Sequence, residues 1–386
     1  MLDSRGTIIL SIFDWGSHTH GHSDMQLASL LAKSGPVLFV NSIGMRAPTR
    51  NLGKSLFRRI SRKLRSVASA AFRPISDLDL VVFTPVFFPA YSGLLGQLNN
   101  KALHAQVSHF SRKLGFVRPV VLVTLPTFAN LALSLERSIL LYNRSDRHAD
   151  FKFSNAKLVA AKEDLLFREA NAVLYASRSL YDSETGRASG RSVFIGHGVD
   201  LERFSPRGPV AAELAAIPSP RVGFFGDLRE HAIDFPLLAK VAHAMPNVQF
   251  VLGGSQLDDL SALRGLPNIH LLSACPHVEM PARWRGLDVA ILPYQITPWT
   301  RAIEPIKLNE IAAIGLRAVG TRLPAFAHRG VVIADTVDEF VGAVSEALHP
   351  SQQVRPVSGE LRSWETIVSQ IEELIASLRS ECETAV

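Results

Sequence analysis

The sequence is poor in cysteine and in long apolar runs. Cys275 and Cys382 are the two cysteines among 386 residues, and they form no Cys-x-x-Cys or Cys/His spacing. This scarcity excludes a disulfide-stapled small domain and favours a reducing, cytoplasmic compartment. The longest apolar stretch, residues 120–135, is interrupted by Pro126 and Asn130. It is shorter than the roughly 20 residues that span a bilayer.

The N-terminal apolar segment is also short. It covers residues 7–13 and follows Asp3 and Arg5, which is less than the hydrophobic segment of a signal peptide requires. The composition, 47% hydrophobic and 20% charged, excludes a disordered chain, and the length suits two domains. We therefore expect a soluble or peripheral protein.

Acidic residues are scarce in the first half of the chain. Residues 1–198 hold 25 Lys+Arg against 13 Asp+Glu, a net of +12, whereas residues 199–386 hold 16 against 22, a net of −6. This split indicates two halves with different partners. The segment 46–73 has nine basic residues and no acidic one. Its apolar residues are spaced along one helical face, a pattern typical of an amphipathic helix on an anionic membrane surface. An ordinary surface helix is the alternative, and no nucleic-acid-binding module accompanies the charge.

Short apolar runs alternate with helix-length amphipathic segments, which is the pattern of parallel sheets built from βαβ units. A helix is predicted to begin at Ser23, because Ser23 and Gln26, three residues later, have the spacing of a capping box. Four prolines between residues 203 and 221 break the alternation, and the domain boundary is placed there. The predicted strands of the first half are 7–13, 36–41, 80–83, 119–125, 138–142, 171–176 and 192–196. Those of the second half are 221–225, 248–252, 269–272, 288–292 and 317–320, and its predicted helices are 234–245, 279–286, 305–314 and 364–378.

The strongest functional pattern lies between Asp288 and Gly315. A buried strand is followed by a loop and by a helix that is predicted to begin at Pro305. A helix N-terminus beside a lysine, here Lys307, is an anion site that suits a diphosphate. Glu310, one turn further on, is placed to accept hydrogen bonds from a ribose diol. A solvated ion pair between these two side chains is the alternative.

Several segments in order resemble the GT-B glycosyltransferases, in particular bacterial family 4-like enzymes and xanthan-type glucuronosyltransferases. The first is the Pro-x-Lys-x-x-Glu helix that begins at Pro305, together with the Pro-aromatic strand end before it. The others are residues 195–204, residues 221–228, residues 266–281 and the terminal helix from Ser363. The resemblance covers most of residues 140–380.

This resemblance implies a GT-B fold, in which two Rossmann-like doubly wound α/β domains face each other across a cleft. Residues 1–200 would bind the acceptor, residues 201–362 the nucleotide-sugar donor, and residues 363–386 would cross back to the first domain. The donor would be a UDP-sugar or related compound, with Lys307 neutralising the leaving diphosphate and no metal or other cofactor. The predicted donor-binding residues are Gly226, Arg229, Tyr294, Arg301, Glu304, Pro305, Ile306, Lys307 and Glu310.

One position departs from the family pattern. Retaining family 4 enzymes usually carry a second glutamate eight residues before the helix glutamate, and Ala302 stands there in this chain. Glu304 is out of step with that position. The departure puts retention of configuration in doubt and favours either the inverting, glucuronosyltransferase-like branch or a family 4 relative that lacks the motif.

An inverting enzyme needs a base for the acceptor hydroxyl. Asp146, between Arg144 and Arg147, resembles an aspartate at the same place in related enzymes and is our candidate. The alternatives are a loop aspartate paired with its arginines, or arginines that hold the pyrophosphate of the acceptor. Asp14, His18 and His20 lie in the loop after the first strand and are rival acceptor-side residues. Their alternation fixes no metal geometry.

We expect a glycosyltransferase that acts at the inner face of the cytoplasmic membrane in exopolysaccharide or surface-glycan synthesis. Its acceptor would be a lipid-linked, polyprenyl-diphosphate glycan, with the aromatic run 83–91 near the lipid chain. A GT-B-fold nucleotide-sugar epimerase and a catalytically silent nucleotide-sugar binder are the alternatives. A dehydrogenase is disfavoured because Gly16 and Gly21 do not form a Gly-x-Gly-x-x-Gly motif.

Overall fold

A computed structural model describes residues 6–15, 21–45, 72–88, 90–151, 154–255, 259–349 and 356–384. The chain divides into two compact units. Unit 1 comprises Met1–Gly196 and Trp364–Val386, and unit 2 comprises His197–Ser363. The basic segment 46–73 lies outside the described residues except for its last two positions. No helix among the described ranges is long and apolar enough to cross a membrane.

Unit 1 contains an eight-stranded sheet with the order β3-β4-β2-β1-β5-β6-β7-β8. All neighbouring pairs are parallel except β3 and β4, which are antiparallel. Strands β2, β4, β5, β6 and β7 are buried along their whole length, so both faces of the sheet are covered. The strands are β1 (Thr7–Leu10), β2 (Val37–Val40), β3 (Phe72–Ile75), β4 (Leu80–Phe83), β5 (Val120–Val123), β6 (Ile139–Arg144), β7 (Ala172–Tyr175) and β8 (Arg191–Phe194).

The helices of unit 1 follow the sheet. They are α1 (Ser23–Ser34), α2 (Gly93–Lys113), α3 (Ala129–Ser134), α4 (Ala156–Glu169) and α5 (Arg178–Glu184), with α11 (Trp364–Thr384) at the end of the chain. The predicted capping box is wrong, because Ser23 is already the first helical residue and His22 is the N-cap. Helix α11 buries an apolar stripe that runs from Trp364 to Leu378, and it packs in unit 1 against α1 and β6.

Unit 2 contains a six-stranded parallel sheet with the order β11-β10-β9-β12-β13-β14. Its strands are β9 (Arg221–Phe225), β10 (Gln249–Gly254), β11 (Ile269–Ser273), β12 (Val289–Leu292), β13 (Arg317–Gly320) and β14 (Val332–Ile333). Its helices are α6 (Ala212–Ala215), α7 (Phe235–Ala244), α8 (Met280–Trp284), α9 (Lys307–Ile314) and α10 (Val337–Leu348). The predicted doubly wound α/β architecture is therefore confirmed in each unit.

Each sheet reverses its strand order at one place. In unit 1 the reversal falls between β1 and β5, and in unit 2 between β9 and β12. Ligands of open parallel sheets bind beyond the carboxyl ends of the strands at such a switch point. The loops that follow β1, β5, β9 and β12 are therefore the first places to look for a site.

Two glycines close the switch-point end of unit 2. Gly226 follows β9, and its N–H donates to the carbonyl of Gly253 at 2.9 Å. Gly254 ends β10 with a φ of 149°, and a Cβ added there would lie 1.8 Å from the carbonyl oxygen of Gly226. Because the two backbones touch, neither strand end can shift away without breaking this turn.

Replacing Gly254 with Ala should destabilise the protein by at least about 2 kcal/mol, because the new methyl group overlaps backbone atoms and the φ is unfavourable for an L-residue. Urea unfolding would measure the loss. Gly342→Ala, in the exposed middle of α10 with no atom within 4 Å of the new Cβ, is the control. It should raise stability by up to about 1 kcal/mol. Equal stability of Gly254→Ala and the wild type would contradict the close approach.

Candidate functional site

Lys307 lies at the switch point of unit 2. It is the first residue of α9, and its Nζ donates to the Tyr294 hydroxyl at 3.0 Å. The same Nζ lies 4.7 Å from the centre of the Phe224 ring, a cation–π distance. A Cβ at Gly226 would lie 2.9 Å from this Nζ. The ammonium group is therefore held where the loops after β9 and β12 meet.

The start of α9 differs from the prediction by two residues. Pro305 is not helical, and Ile306 is the N-cap. Leu308 and Asn309 donate their N–H groups to the carbonyls of Pro305 and Ile306 in the first turns. The helix ends as predicted at Gly315, which has a φ of 82° and donates to the carbonyls of the last turn. The predicted anion site therefore begins at Lys307. The backbone N–H groups of Ile306 and Lys307 precede the first hydrogen-bonded N–H groups of the helix, those of Leu308 and Asn309.

Glu310 has two partners of its own, neither of which is Lys307. Its Oε1 is 2.8 Å from Nε2 of His277, and its Oε2 accepts from the indole N–H of Trp284 at 3.1 Å. Trp284 is completely buried and packs edge-on against Phe225. The lysine and the glutamate therefore have separate hydrogen-bond partners.

The loop before α9 is linked to His197 by a chain of polar contacts. Arg329 contacts Glu304 at 3.7 Å and donates to the Asn309 side chain at 2.9 Å. Asn309 in turn donates to the carbonyl of His197 at 2.7 Å. Burial lowers the pKa of the His197 imidazole, opposed by its hydrogen bond to the backbone of Glu304. These contacts fix the register of the segment that enters α9.

The remaining predicted donor residues lie around this helix start. Tyr294 is buried, with 4% of its surface exposed, so its hydroxyl orients Lys307. Arg229 is half-buried and lies 3.6 Å from Asp227. Arg301 is exposed in the loop before the helix, whereas Ala302, at the position of the usual second glutamate, is buried.

The switch point of unit 1 is held by a buried carboxylate. Asp24, in the first turn of α1, accepts from the hydroxyls of Ser11 at 2.7 Å and Thr124 at 2.6 Å, and from the N–H of Ile12 at 3.3 Å. Burial raises the pKa of Asp24 against the effect of these hydrogen bonds. Asp24 thus joins the carboxyl ends of β1 and β5. The half-buried Asp14 lies in the same loop after β1 as Ser11 and Ile12, while His18 and His20 lie outside the described residues.

Arg144, at the end of β6, is completely buried. Its Nε lies 2.9 Å from Glu184 and its Nη1 lies 2.5 Å from Glu163. The hypothesis that this guanidinium holds the pyrophosphate of an acceptor is therefore wrong, because two carboxylates neutralise it inside unit 1. Arg147 is partly exposed and lies 3.9 Å from Asp150 and 3.8 Å from Glu184.

The buried arginine sets the position of Asp146. Nη1 of Arg144 donates to the backbone carbonyl of Asp146 at 2.7 Å, and the N–H of His148 donates to the same carbonyl at 3.1 Å. The Asp146 side chain is half-buried. His148 is completely buried, and its Nδ1 lies 3.6 Å from Glu163. The buried guanidinium of Arg144 therefore fixes the backbone of the loop that carries the candidate base.

Residues that the sequence did not indicate complete the site. Trp284 and His277 hold Glu310, and Glu163 and Glu184 hold Arg144. These four lie far from their partners in sequence, and no motif spacing connects them. A buried tryptophan in a short amphipathic helix is a normal core residue, so its indole N–H could be assigned a partner only from the structure.

Arg144→Met should cost about 3–5 kcal/mol of unfolding free energy at pH 7, because it leaves buried carboxylates without their counter-charge. Arg178→Met is the matched control. The ion pair of Arg178 with Asp182 has side chains 63% and 55% exposed, and its loss should cost under about 1 kcal/mol. Denaturant unfolding of both variants would measure the difference.

The cost of Arg144→Met should also depend on pH. Burial would raise the pKa of Glu163, but the contact with His148 and the charge of Arg144 outweigh it and hold this pKa below its ordinary value of 4.5. A lowered carboxyl pKa contributes stability above the unfolded-state pKa and loses it as the pH falls through the folded-state pKa. The difference between wild type and variant should therefore shrink below about pH 4.5. A difference that does not change with pH would argue against this charge network.

The comparisons with known proteins agree with this architecture. No family model matches the chain. A segment of 191 residues, 47% of this chain, is 26% identical to 47% of TuaH from Bacillus subtilis (strain 168), provisionally named a teichuronic acid biosynthesis glycosyltransferase. The match therefore spans about half the length of that relative.

Solved structures match over nearly the whole chain. Sucrose-phosphate synthase from Thermosynechococcus elongatus has a TM-score of 0.70 at 14% identity and covers 98% of this chain and 100% of its own. Anabaena HepE, solved with UDP and glucose, has a TM-score of 0.65 at 14% identity, with 97% and 100% covered. The trehalose 6-phosphate synthase of Burkholderia multivorans has a TM-score of 0.62 at 14% identity and covers both chains completely. The chain therefore has the GT-B fold of glycosyltransferases, as its resemblance to them predicts.

Proposed function

We propose that this protein is a glycosyltransferase that moves a sugar from a nucleoside-diphosphate donor, a UDP-sugar, to a lipid-linked glycan acceptor. The observation that carries the proposal is the ammonium group of Lys307 beside Gly226 at the switch point of unit 2. A cation, free N–H groups and a helix N-terminus together suit a diphosphate. The HepE structures with UDP and with UDP-glucose have the same fold and support the choice of donor.

The chemistry requires charge stabilisation on the leaving side. As the bond between sugar and diphosphate breaks, negative charge grows on the diphosphate oxygens. Lys307 neutralises this charge, and the N–H groups of Ile306 and Lys307 donate hydrogen bonds to the diphosphate oxygens. Tyr294 keeps the lysine oriented through its hydroxyl. Glu310 binds the ribose hydroxyls with its remaining lone pairs, while His277 and Trp284 hold its carboxylate in place.

The acceptor side requires a base. Asp146 takes the proton of the acceptor hydroxyl while the hydroxyl oxygen attacks the anomeric carbon of the donor sugar. Its support is positional. The residue follows the carboxyl end of β6, is half-buried, and has its backbone held by the buried Arg144. A base that acts directly on the acceptor gives inversion, in keeping with Ala302 at the position of the second glutamate.

The acceptor and the location are proposed from charge. The first half of the chain has a net charge of +12, and the segment 46–73 would contact anionic lipids at the inner face of the cytoplasmic membrane. The relative TuaH is named for the synthesis of a surface polymer. A polyprenyl-diphosphate glycan, used in exopolysaccharide or surface-glycan synthesis, fits such a surface.

Lys307→Met should weaken UDP binding by at least about tenfold, because a charge-assisted phosphate contact is lost. Its effect on uridine, which has no phosphate, should be small. Calorimetric titration with both ligands would separate the two effects. Lys240→Met, at an exposed position in α7, is the control and should bind UDP normally. Equal losses for UDP and uridine would show that the lysine does not contact the diphosphate.

Asp146→Asn should lower the turnover of sugar transfer by about 100-fold or more while leaving UDP affinity unchanged, because only the proton acceptor is removed. The assay incubates protein, radiolabelled nucleotide sugars and a bacterial lipid extract, and counts label in the organic phase. Asp150→Asn, at the exposed end of the same loop, is the control.

The same assay distinguishes the alternatives. Interconversion of the donor without an acceptor would indicate an epimerase, and donor binding without transfer or interconversion would indicate a silent binder. Full turnover by Asp146→Asn would leave the transferase assignment intact and remove Asp146 as its base.

A further inference from the structure

The start of α2 displays apolar side chains to solvent. Of the ten large hydrophobic residues that are exposed in the described parts of the chain, five lie between residues 86 and 98. Scattered single residues of this kind are normal, whereas a cluster marks an interaction surface. We call these five residues the apolar patch. They are Leu94 (73% exposed), Leu95 (60%), Leu98 (54%), Phe88 (49%) and Val86 (47%).

The loop that carries Val86 and Phe88 is fastened to α2 by two amide side chains. The N–H and carbonyl of Val86 both bond to the side chain of Gln106, at 2.9 and 2.8 Å. The Asn99 side chain accepts from the N–H of Phe88 at 3.1 Å and donates to the carbonyl of Ala90 at 3.2 Å. The loop therefore lies along the helix in a fixed position.

The contact between loop and helix also requires a glycine. A Cβ at Gly96 would lie 2.8 Å from the carbonyl carbon of Tyr91, and the Tyr91 hydroxyl donates to the carbonyl of Ile43 at 2.6 Å. The opposite face of α2 buries Leu103 and Val107. The helix thus has its own core face, and the apolar patch is a second surface that this core does not use.

The stretch of chain that carries the apolar patch has charges of one sign. Between residues 80 and 135 the chain has no Asp or Glu. Lys101 follows Leu98 by three positions on the exposed face of the helix, and Arg112 and Lys113 are exposed at its end. A surface that combines leucine and phenylalanine with Lys101 beside them, in a stretch of chain without acidic residues, is complementary to a bilayer with anionic headgroups.

We propose that the apolar patch inserts into an anionic membrane, with Lys101 at the level of the lipid headgroups. The inference rests on the proposed function only for the lipid nature of the acceptor. It adds a specific docking surface on α2, separate from the basic segment 46–73. The occupant is the bilayer itself, and a second copy of the chain or a protein partner would be a different outcome of the test below.

The test compares three proteins in vesicle flotation. Wild type should float with phosphatidylglycerol–phosphatidylcholine vesicles and about tenfold less with phosphatidylcholine alone. The triple variant Leu94→Ser, Leu95→Ser, Leu98→Ser should bind the anionic vesicles at least about tenfold more weakly. The control removes three exposed apolar residues elsewhere, Val117→Ser, Leu201→Ser and Val210→Ser, and should float like the wild type.

Two further measurements make the result decisive. The triple serine variant should keep the wild-type urea midpoint and UDP affinity, because the three leucines are largely exposed and belong to unit 1. Unchanged flotation of this variant, or no flotation of the wild type, would overturn the proposal. A wild-type dimer in light scattering that becomes a monomer in the variant, with flotation unchanged, would instead assign the apolar patch to a second copy. If the wild type floats but transfers no sugar, the proposed function fails and the membrane surface stands.

Discussion

The donor side of this protein depends on where one ammonium group is held. Lys307 has the Tyr294 hydroxyl at 3.0 Å, the Phe224 ring beneath it and the Gly226 turn beside it. None of these contacts supplies a negative charge, so within the part of the chain that the structure describes the lysine is oriented without being neutralised. A cation in such a setting keeps its attraction for an incoming anion, whereas one paired with a carboxylate would have to exchange partners first. The absence of a side chain at Gly226 leaves room for the ammonium group, because a Cβ there would lie 2.9 Å from Nζ.

Much of the fold follows from hydrophobic pattern. The strands 80–83, 221–225 and 317–320 were predicted with their observed bounds, and each other predicted strand overlaps an observed one, because buried parallel strands appear as continuous apolar runs. Strands β3 and β14 were missed. Strand β3 pairs antiparallel to β4 at the edge of the sheet and contains Pro74, so it lacks the apolar run of an inner strand. Strand β14 has two residues and is too short to form such a run. The capping box failed because a spacing of two polar residues does not fix which of them begins the helix.

The candidate site was predictable where it is local in sequence and not where it depends on tertiary contacts. The pairing of a lysine with a helix start could be inferred from residues 305–315 alone, within two residues of the true start. The role of Arg144 could not. Its charge suggested an anion site, but the side chain continues the buried face of β6 and meets Glu163 and Glu184 on two helices distant in sequence. Burial, which determines whether a charge is available to a ligand, is a property of the whole unit.

Each unit buries at least one charged group close to its switch point. Desolvating a charge is unfavourable, and an apolar core of the same volume is often more stable than a buried ion pair. Yet Asp24 is buried at the switch point of unit 1, Arg144 at the end of the neighbouring strand β6, and Glu310 beside the switch point of unit 2. A fold accepts such costs mainly where position must be exact. Asp24 fixes the loops after β1 and β5, and Arg144 fixes the backbone of Asp146. The unfavourable burial therefore points to the same strand ends as the sheet topology does, by an independent physical argument.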